Sequence, residues 1–149
     1  MLIATNQRLK CMLADIQIDL DDALTQALSE GSLNFIHVDG CTLRETFPPH
    51  LMTENFPDKT GLECFINHIH FSINTKQEML AVFANVSTVS SALKQETIYK
   101  NYKIIASFNN GKATVRFHAV RPNEEWLDYS NLESFQDEGI LVITVGEKG

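Results

Sequence analysis

The sequence predicts an α+β fold: an antiparallel-rich β-sheet of about four to six strands with helices packed on one face, in a single domain over residues 1–149. Three observations carry this expectation. Within Tyr102–Leu127, two stretches alternate apolar and polar residues with a period of two, and Asn110-Gly111 lies between them. Thr75-Lys76-Gln77-Glu78 forms a capping-box pattern ahead of apolar residues at helical spacing. The chain nears its end in Gly139–Val145, GILVITV, a short continuous apolar run that suits a buried strand.

Taken in order, residues 5–30 have a helical pattern. Leu9, Met12, Leu13, Ile16, Leu20, Leu24, Ala27 and Leu28 recur at spacings of three and four. Asp19, Asp21 and Asp22 suit the start of a second helix ending near Gly31. Ile16–Leu20 also alternates, so one helix, or two with a break or short strand between, stay open. Leu33–Val38 is a strand candidate closed by Asp39-Gly40. Residues 44–60 hold Pro48, Pro49 and Pro57 and are expected to be a loop, pinned by Phe47, Leu51, Met52 and Phe56. Leu62–Ile73, LECFINHIHFSI, has apolar residues in both phases and is expected to be a central strand covered on both sides.

A helix follows the Thr75 cap, with Met79, Val82, Phe83, Val86, Val89 and Leu93 on its apolar face. In the hairpin, Ile104, Ala106 and Phe108 face the core with Val115, Phe117 and Ala119. Asn110-Gly111 supplies the positive φ of a type I′ turn, and Pro122 ends the second strand. Asn123–Trp126 and Asn131–Gln136 are expected to form short helical turns.

The composition, 44% hydrophobic and 21% charged, is that of a soluble globule. No apolar run approaches the length of a membrane span, and the N-terminus lacks the ordered blocks of a signal peptide. The expected location is cytoplasmic, with no membrane partner. Cys11, Cys41 and Cys64 cannot all pair within one chain, which fits free thiols in a reducing compartment. A net charge of −7 argues against a general nucleic-acid binder. That charge is uneven: Asp15–Glu30 has five acids and no Lys or Arg, and Pro122–Gly149 has seven acids and one Lys. Such segments are either solvated faces or a surface complementary to a basic partner.

For chemistry, His68-Ile69-His70 stands out. On a strand, residues i and i+2 point to one face, as two metal ligands require. His118, His37 or Glu63 could add a third. The pattern resembles the HxH step of cupins but lacks their glycine spacing and following Glu. Two core or hydrogen-bonding histidines are the plainer alternative, so no cofactor is expected. No nucleophile elbow and no Gly-rich phosphate cradle is present. Cys64 has the setting of a small buried hydrophobe. No catalytic residue is assigned.

The segment around Trp126 is different. Glu124, Glu125, Asp128, Asp137 and Glu138 surround Trp126, Tyr129 and Phe135. Aromatic anchors with a charged rim are a feature of protein interfaces. Trp126 and Leu127 could equally cover one end of the sheet.

The order FINHIHF, then RFHAVRPNEEWL, then ILVITV resembles small bacterial immunity proteins of polymorphic-toxin and contact-dependent growth inhibition systems. The residues carrying it are Phe65–Phe71, Phe117–Arg121, Glu124–Leu127 and the final apolar run, roughly the C-terminal half. The resemblance implies a cytoplasmic, non-enzymatic protein that binds one cognate toxin domain, such as a nuclease, and blocks it. The expected contact residues are Glu124, Glu125, Trp126, Asp128, Asp137 and Glu138. The alternative is a small metal-binding domain or metal-dependent enzyme using His68 and His70.

Overall fold

A computed structural model describes residues 2–25, 33–44 and 56–146. The fold is α+β, built on a five-stranded antiparallel sheet in the order β1-β7-β5-β6-β4. Its strands are β1 (Leu2–Thr5), β4 (Ile69–Ser72), β5 (Asn101–Asn109), β6 (Lys112–Ala119) and β7 (Gly139–Gly146). A separate two-stranded hairpin pairs β2 (Ile36–Val38) with β3 (Cys41–Leu43). The helices are α1 (Gln7–Asp15), α2 (Leu20–Thr25), α3 (Lys59–Ile66) and α4 (Lys76–Leu93).

The β5–β6 hairpin sits within the sheet in the expected register, with Ala106 opposite Val115 and Phe108 opposite Ala113. Asn110 and Gly111 take φ values of 50° and 73°, as a type I′ turn requires. Ile104, Ala106, Phe108, Val115, Phe117 and Ala119 all enter the main core. α1, α2 and α4 cover that face. The Thr75 box is formed in full, and Met79, Val82, Phe83, Val86, Val89 and Leu93 are buried. Packing of this stripe carries the helix through Asn85–Ser91 despite its weak intrinsic propensity.

The opposite face of the sheet has its own smaller core. Ile105, Ile140 and Val142 pack there with Leu132, Leu127, Tyr129 and Phe135 from the segment between β6 and β7. Asn6, fully buried at the start of α1, ties this segment down. Its amide donates to the carbonyls of Leu132, Phe135 and Glu138, and its Oδ1 accepts from the Ile140 and Leu9 amides.

One open alternative is decided, and several elements differ from expectation. The N-terminal helical pattern is split by Gln17 (φ 57°), giving two helices, and Asp19 caps the second by accepting from the Asp22 amide. The expected continuation toward Gly31 lies outside the described residues. So does most of the expected 44–60 loop, with Phe47, Leu51 and Met52, whereas Lys59 and Thr60 open a helix. β1 and β3 were not foreseen: both are short, and neither has a long alternating pattern. Of the two turns expected after the hairpin, Leu132–Ser134 is a 3-10 helix. Asn123–Trp126 is not helical. Asn123 has φ 61°, and Arg121 bridges Glu124 in antiparallel fashion.

The largest correction concerns Leu62–Ile73, which is not one central strand. It is helix α3, a turn, and the edge strand β4. Asp58 caps α3 by accepting from the Gly61 amide at 2.7 Å. Leu62 and Ile66, four residues apart, pack on Cys41 and Leu43 of β3. β4 pairs with only half of β6, up to Ile69 opposite Val115. Beyond that point α3 replaces a strand. Glu63 Oε1 accepts the Ala119 amide at 2.9 Å, and the Asn67 side chain donates to the Phe117 carbonyl at 3.2 Å. Glu63 and Asn67 are also four apart, so helical spacing brings both to the open edge of β6. A strand in the expected phase would have pointed each of them away from one β6 backbone.

Candidate functional site

Two polar constellations and one exposed ridge surround the upper end of β6. The first is a buried lock. Arg121 Nη1 donates to Glu63 Oε1 at 2.7 Å and to Thr60 Oγ1 at 3.2 Å. Its Nη2 donates to the Gly40 carbonyl at 3.2 Å, and its guanidinium lies over the Tyr99 ring at 4.8 Å. Glu63 Oε2 accepts the Thr42 amide at 2.7 Å. Asn67 reaches the Thr42 carbonyl and accepts the Arg44 amide, and Thr42 Oγ1 meets the Tyr102 hydroxyl at 3.0 Å. Burial alone would lower the Arg121 pKa, but the Glu63 carboxylate outweighs it and holds the group above its ordinary value. This network fastens the β2–β3 hairpin, α3 and the chain after β6 into one body. Every member serves another member, so it is a structural device with little capacity left for a ligand.

The second constellation lines a cleft of about 520 Å³ that includes Lys103, His118, Asn123, Glu124, Glu125 and Tyr129. His118 is buried. Its Nδ1 lies 2.7 Å from the Ala119 carbonyl, and its Nε2 lies 2.6 Å from the Tyr129 hydroxyl. A carbonyl only accepts, so Nδ1 carries the proton and Nε2 accepts from Tyr129. Burial lowers the His118 pKa and raises that of Tyr129, which keeps the pair neutral near pH 7. Lys103 Nζ sits 4.2 Å from the centre of the Tyr129 ring.

The third feature is a ridge of exposed rings. Trp126 is 39% exposed and Phe65 46% exposed. Arg116 supports Trp126 from below, with its guanidinium 5.1 Å from the ring, and donates to the Cys64 carbonyl of α3. Phe65 follows on α3, in contact with Phe56 at 5.4 Å and His68 at 5.9 Å between ring centres. The His68 and His70 rings are 4.8 Å apart. His70 then contacts Thr114 on β6, two residues from Arg116. α3, β4, β6 and the post-hairpin segment each contribute to this surface.

The acids expected to form a contact surface divide into two groups. Glu124 is committed inward: its carboxylate accepts the Thr60 amide at 3.1 Å, at the start of α3. Asp128 closes its own turn by accepting from Ser130. Glu138 is half-buried, and its carbonyl is held by Asn6. Glu125 and Asp137 are exposed. Trp126 does reach solvent, as an interface anchor must. Arg116, in contact with Trp126 and with the Cys64 carbonyl next to the exposed Phe65, was not singled out from sequence. Reading Phe65 into a covered strand hid it.

His68 and His70 do come together, although His68 immediately precedes β4 rather than lying within a long strand. None of the three suggested partners joins them. His37 contacts Glu96 at 3.2 Å, His118 contacts Tyr129, and Glu63 is held by Arg121. Among the described residues, no group of three or more His, Cys, Asp or Glu is placed to hold a metal. Cys41 and Cys64 are buried, burial pushing Cys41 up to about 11 and Cys64 higher still. That setting disfavours a reactive thiolate.

Fold and surface together define an α+β protein with a locked edge and an exposed aromatic ridge. A family model described as the uncharacterized protein PM0498 family matches residues 4–148, and the chain belongs to that family. No curated protein and no solved structure matches the chain. No helix among the described residues is long and apolar enough to cross a membrane.

Proposed function

We propose that this chain is a non-catalytic binding protein, and that it neutralises a toxin domain by docking on it through the Trp126–Phe65 ridge. The observation that carries the binding reading is the exposed Trp126 ring braced on Arg116 and continued by Phe65, His68 and His70. Trp and Arg are enriched among the residues that dominate interface energetics, and a side chain already held in place loses little further freedom on binding. Bracing by Arg116 limits the motion of Trp126 before a partner arrives.

The toxin reading rests on the resemblance to immunity proteins, whose shared residues Phe65–Phe71 and Glu124–Leu127 supply most of the ridge. The net charge of −7 would steer a basic partner such as a nuclease toward the chain. Glu125 and Asp137 are the acids best placed for this, since Glu124 is occupied in holding α3. The protein would act in the cytoplasm, where such a toxin would reach its target.

Co-expression with the product of a neighbouring toxin-like reading frame tests the proposal. Protection and a stable complex are expected with the wild type, and both should be lost in Trp126→Ala. Absence of protection and of any complex would remove that pairing. Protection that persists in Trp126→Ala and Phe65→Ala would move the interface off the ridge.

A further inference from the structure

We propose that His68 and His70 form a two-imidazole chelate for a borderline divalent transition-metal cation, Cu2+, Ni2+ or Zn2+, with water completing the coordination. The inference does not rest on the toxin reading and concerns the free chain.

Three observations support it. The first is the spacing. A metal–nitrogen bond of about 2.0–2.1 Å, plus roughly 1.1 Å from nitrogen to ring centre, places each imidazole centre about 3.2 Å from the ion. Ligand angles between square and tetrahedral then separate the two centres by about 4.5–5.2 Å. The observed separation of 4.8 Å lies inside that window.

The second is tautomer control. His68 Nδ1 is bonded to the Phe65 carbonyl, which can only accept, so the proton is on Nδ1 and the lone pair on Nε2. His70 Nδ1 lies 3.1 Å from Thr114 Oγ1, which accepts a hydrogen bond from the Nδ1–H when Nε2 takes a metal. A carbonyl or hydroxyl holding the remote nitrogen is the usual support of a metal-binding histidine.

The third is contrast with the other described histidines. His118 uses both ring nitrogens, on the Ala119 carbonyl and the Tyr129 hydroxyl. His37 likewise has Glu96 on Nε2 and Thr42 on Nδ1. Only the 68–70 pair keeps both Nε2 atoms outside the hydrogen bonds described. The pair lies at the surface, with His70 exposed. Two protein ligands and open positions make a labile site rather than a closed structural centre.

The test is titration of the tag-free, metal-stripped chain with Cu2+, Ni2+ and Zn2+ separately, followed by calorimetry. One saturable site per chain is expected, and it should be lost in the His68→Ala/His70→Ala variant. Thr114→Val removes the support of His70 and should weaken binding by about 10-fold, whereas His37→Gln should leave it unchanged. Because the double variant could also perturb folding, the Cu2+-loaded wild type is examined by electron paramagnetic resonance, where coupling to two imidazole nitrogens is expected. No saturable site in the wild type would overturn the proposal. So would a site that survives the double variant, or a spectrum with fewer than two imidazoles.

Discussion

Replacement of Glu63 by Gln tests the buried lock that holds the candidate surface together. The wild-type carboxylate accepts three hydrogen bonds, from Arg121, Ala119 and Thr42, and is fully buried. Gln retains one oxygen, which can serve Arg121 and Ala119 as Oε1 does. Its amide then faces the Thr42 N–H, donor against donor. One buried amide loses its acceptor, costing about 1–3 kcal/mol. The Arg121 guanidinium also loses its counter-charge, and breaking a buried pair from one side typically costs about 3–5 kcal/mol in all. For a chain of this size that is a fall in Tm of roughly 6–20 °C. Urea unfolding followed by the fluorescence of Trp126, the single tryptophan, and by far-ultraviolet dichroism gives the value. A double-mutant cycle with Arg121→Met should show coupling of about 1 kcal/mol or more. A loss below about 1 kcal/mol for Glu63→Gln, with no coupling, would refute the lock.

Other outcomes follow from the same geometry. Burial holds the His118 pKa below its unfolded value, so the unfolded chain takes up the proton first and stability should fall as pH drops below about 6.5. The difference between wild type and His118→Gln in urea midpoints from pH 7.5 to 5 isolates that contribution, and identical profiles would contradict it. A thiol reagent at pH 8 should label the exposed Cys11 rapidly and leave Cys41 and Cys64 protected until the chain unfolds. Equal rates at all three thiols would be incompatible with this packing. Gly111→Ala places a side chain at φ 73° and should cost about 1–2 kcal/mol, measured by urea unfolding; no loss would mean that the turn is not as described. Glu124→Lys should destabilise the chain by exposing the start of α3, whereas Glu125→Lys should slow association with a basic partner and leave Tm nearly unchanged.

The hairpin, the Thr75 helix and the final strand could be recognised from sequence because each carries its own local instruction. Asn110-Gly111 fixes a turn, Thr75 and Glu78 fix a helix start, and GILVITV is apolar on both faces because both faces are covered. Leu62–Ile73 carried conflicting local patterns. Apolar residues in both phases suited a strand covered on both sides, while the Asp58 cap and the spacing of Leu62 with Ile66 suited a helix. The contacts of Glu63 and Asn67 with β6 favour the helix, and those lie some 50 residues away in the chain. The same long-range dependence hid the candidate surface. Trp126 was visible as an aromatic among acids, but Arg116 beneath it, and through Arg116 the Cys64–Phe65 turn of α3, come to it only after folding. Glu124 looked like the other acids until the Thr60 amide was placed against it.

The central claim is that the Trp126–Phe65 ridge is the surface by which this chain captures a toxin domain. Its most direct test is the affinity of the co-expressed toxin-like partner for wild type and for Trp126→Ala, measured beside the Tm of the free proteins. A loss of at least 2 kcal/mol in binding, about 30-fold, with a nearly unchanged Tm is expected. Equal affinity for the two proteins would contradict the claim.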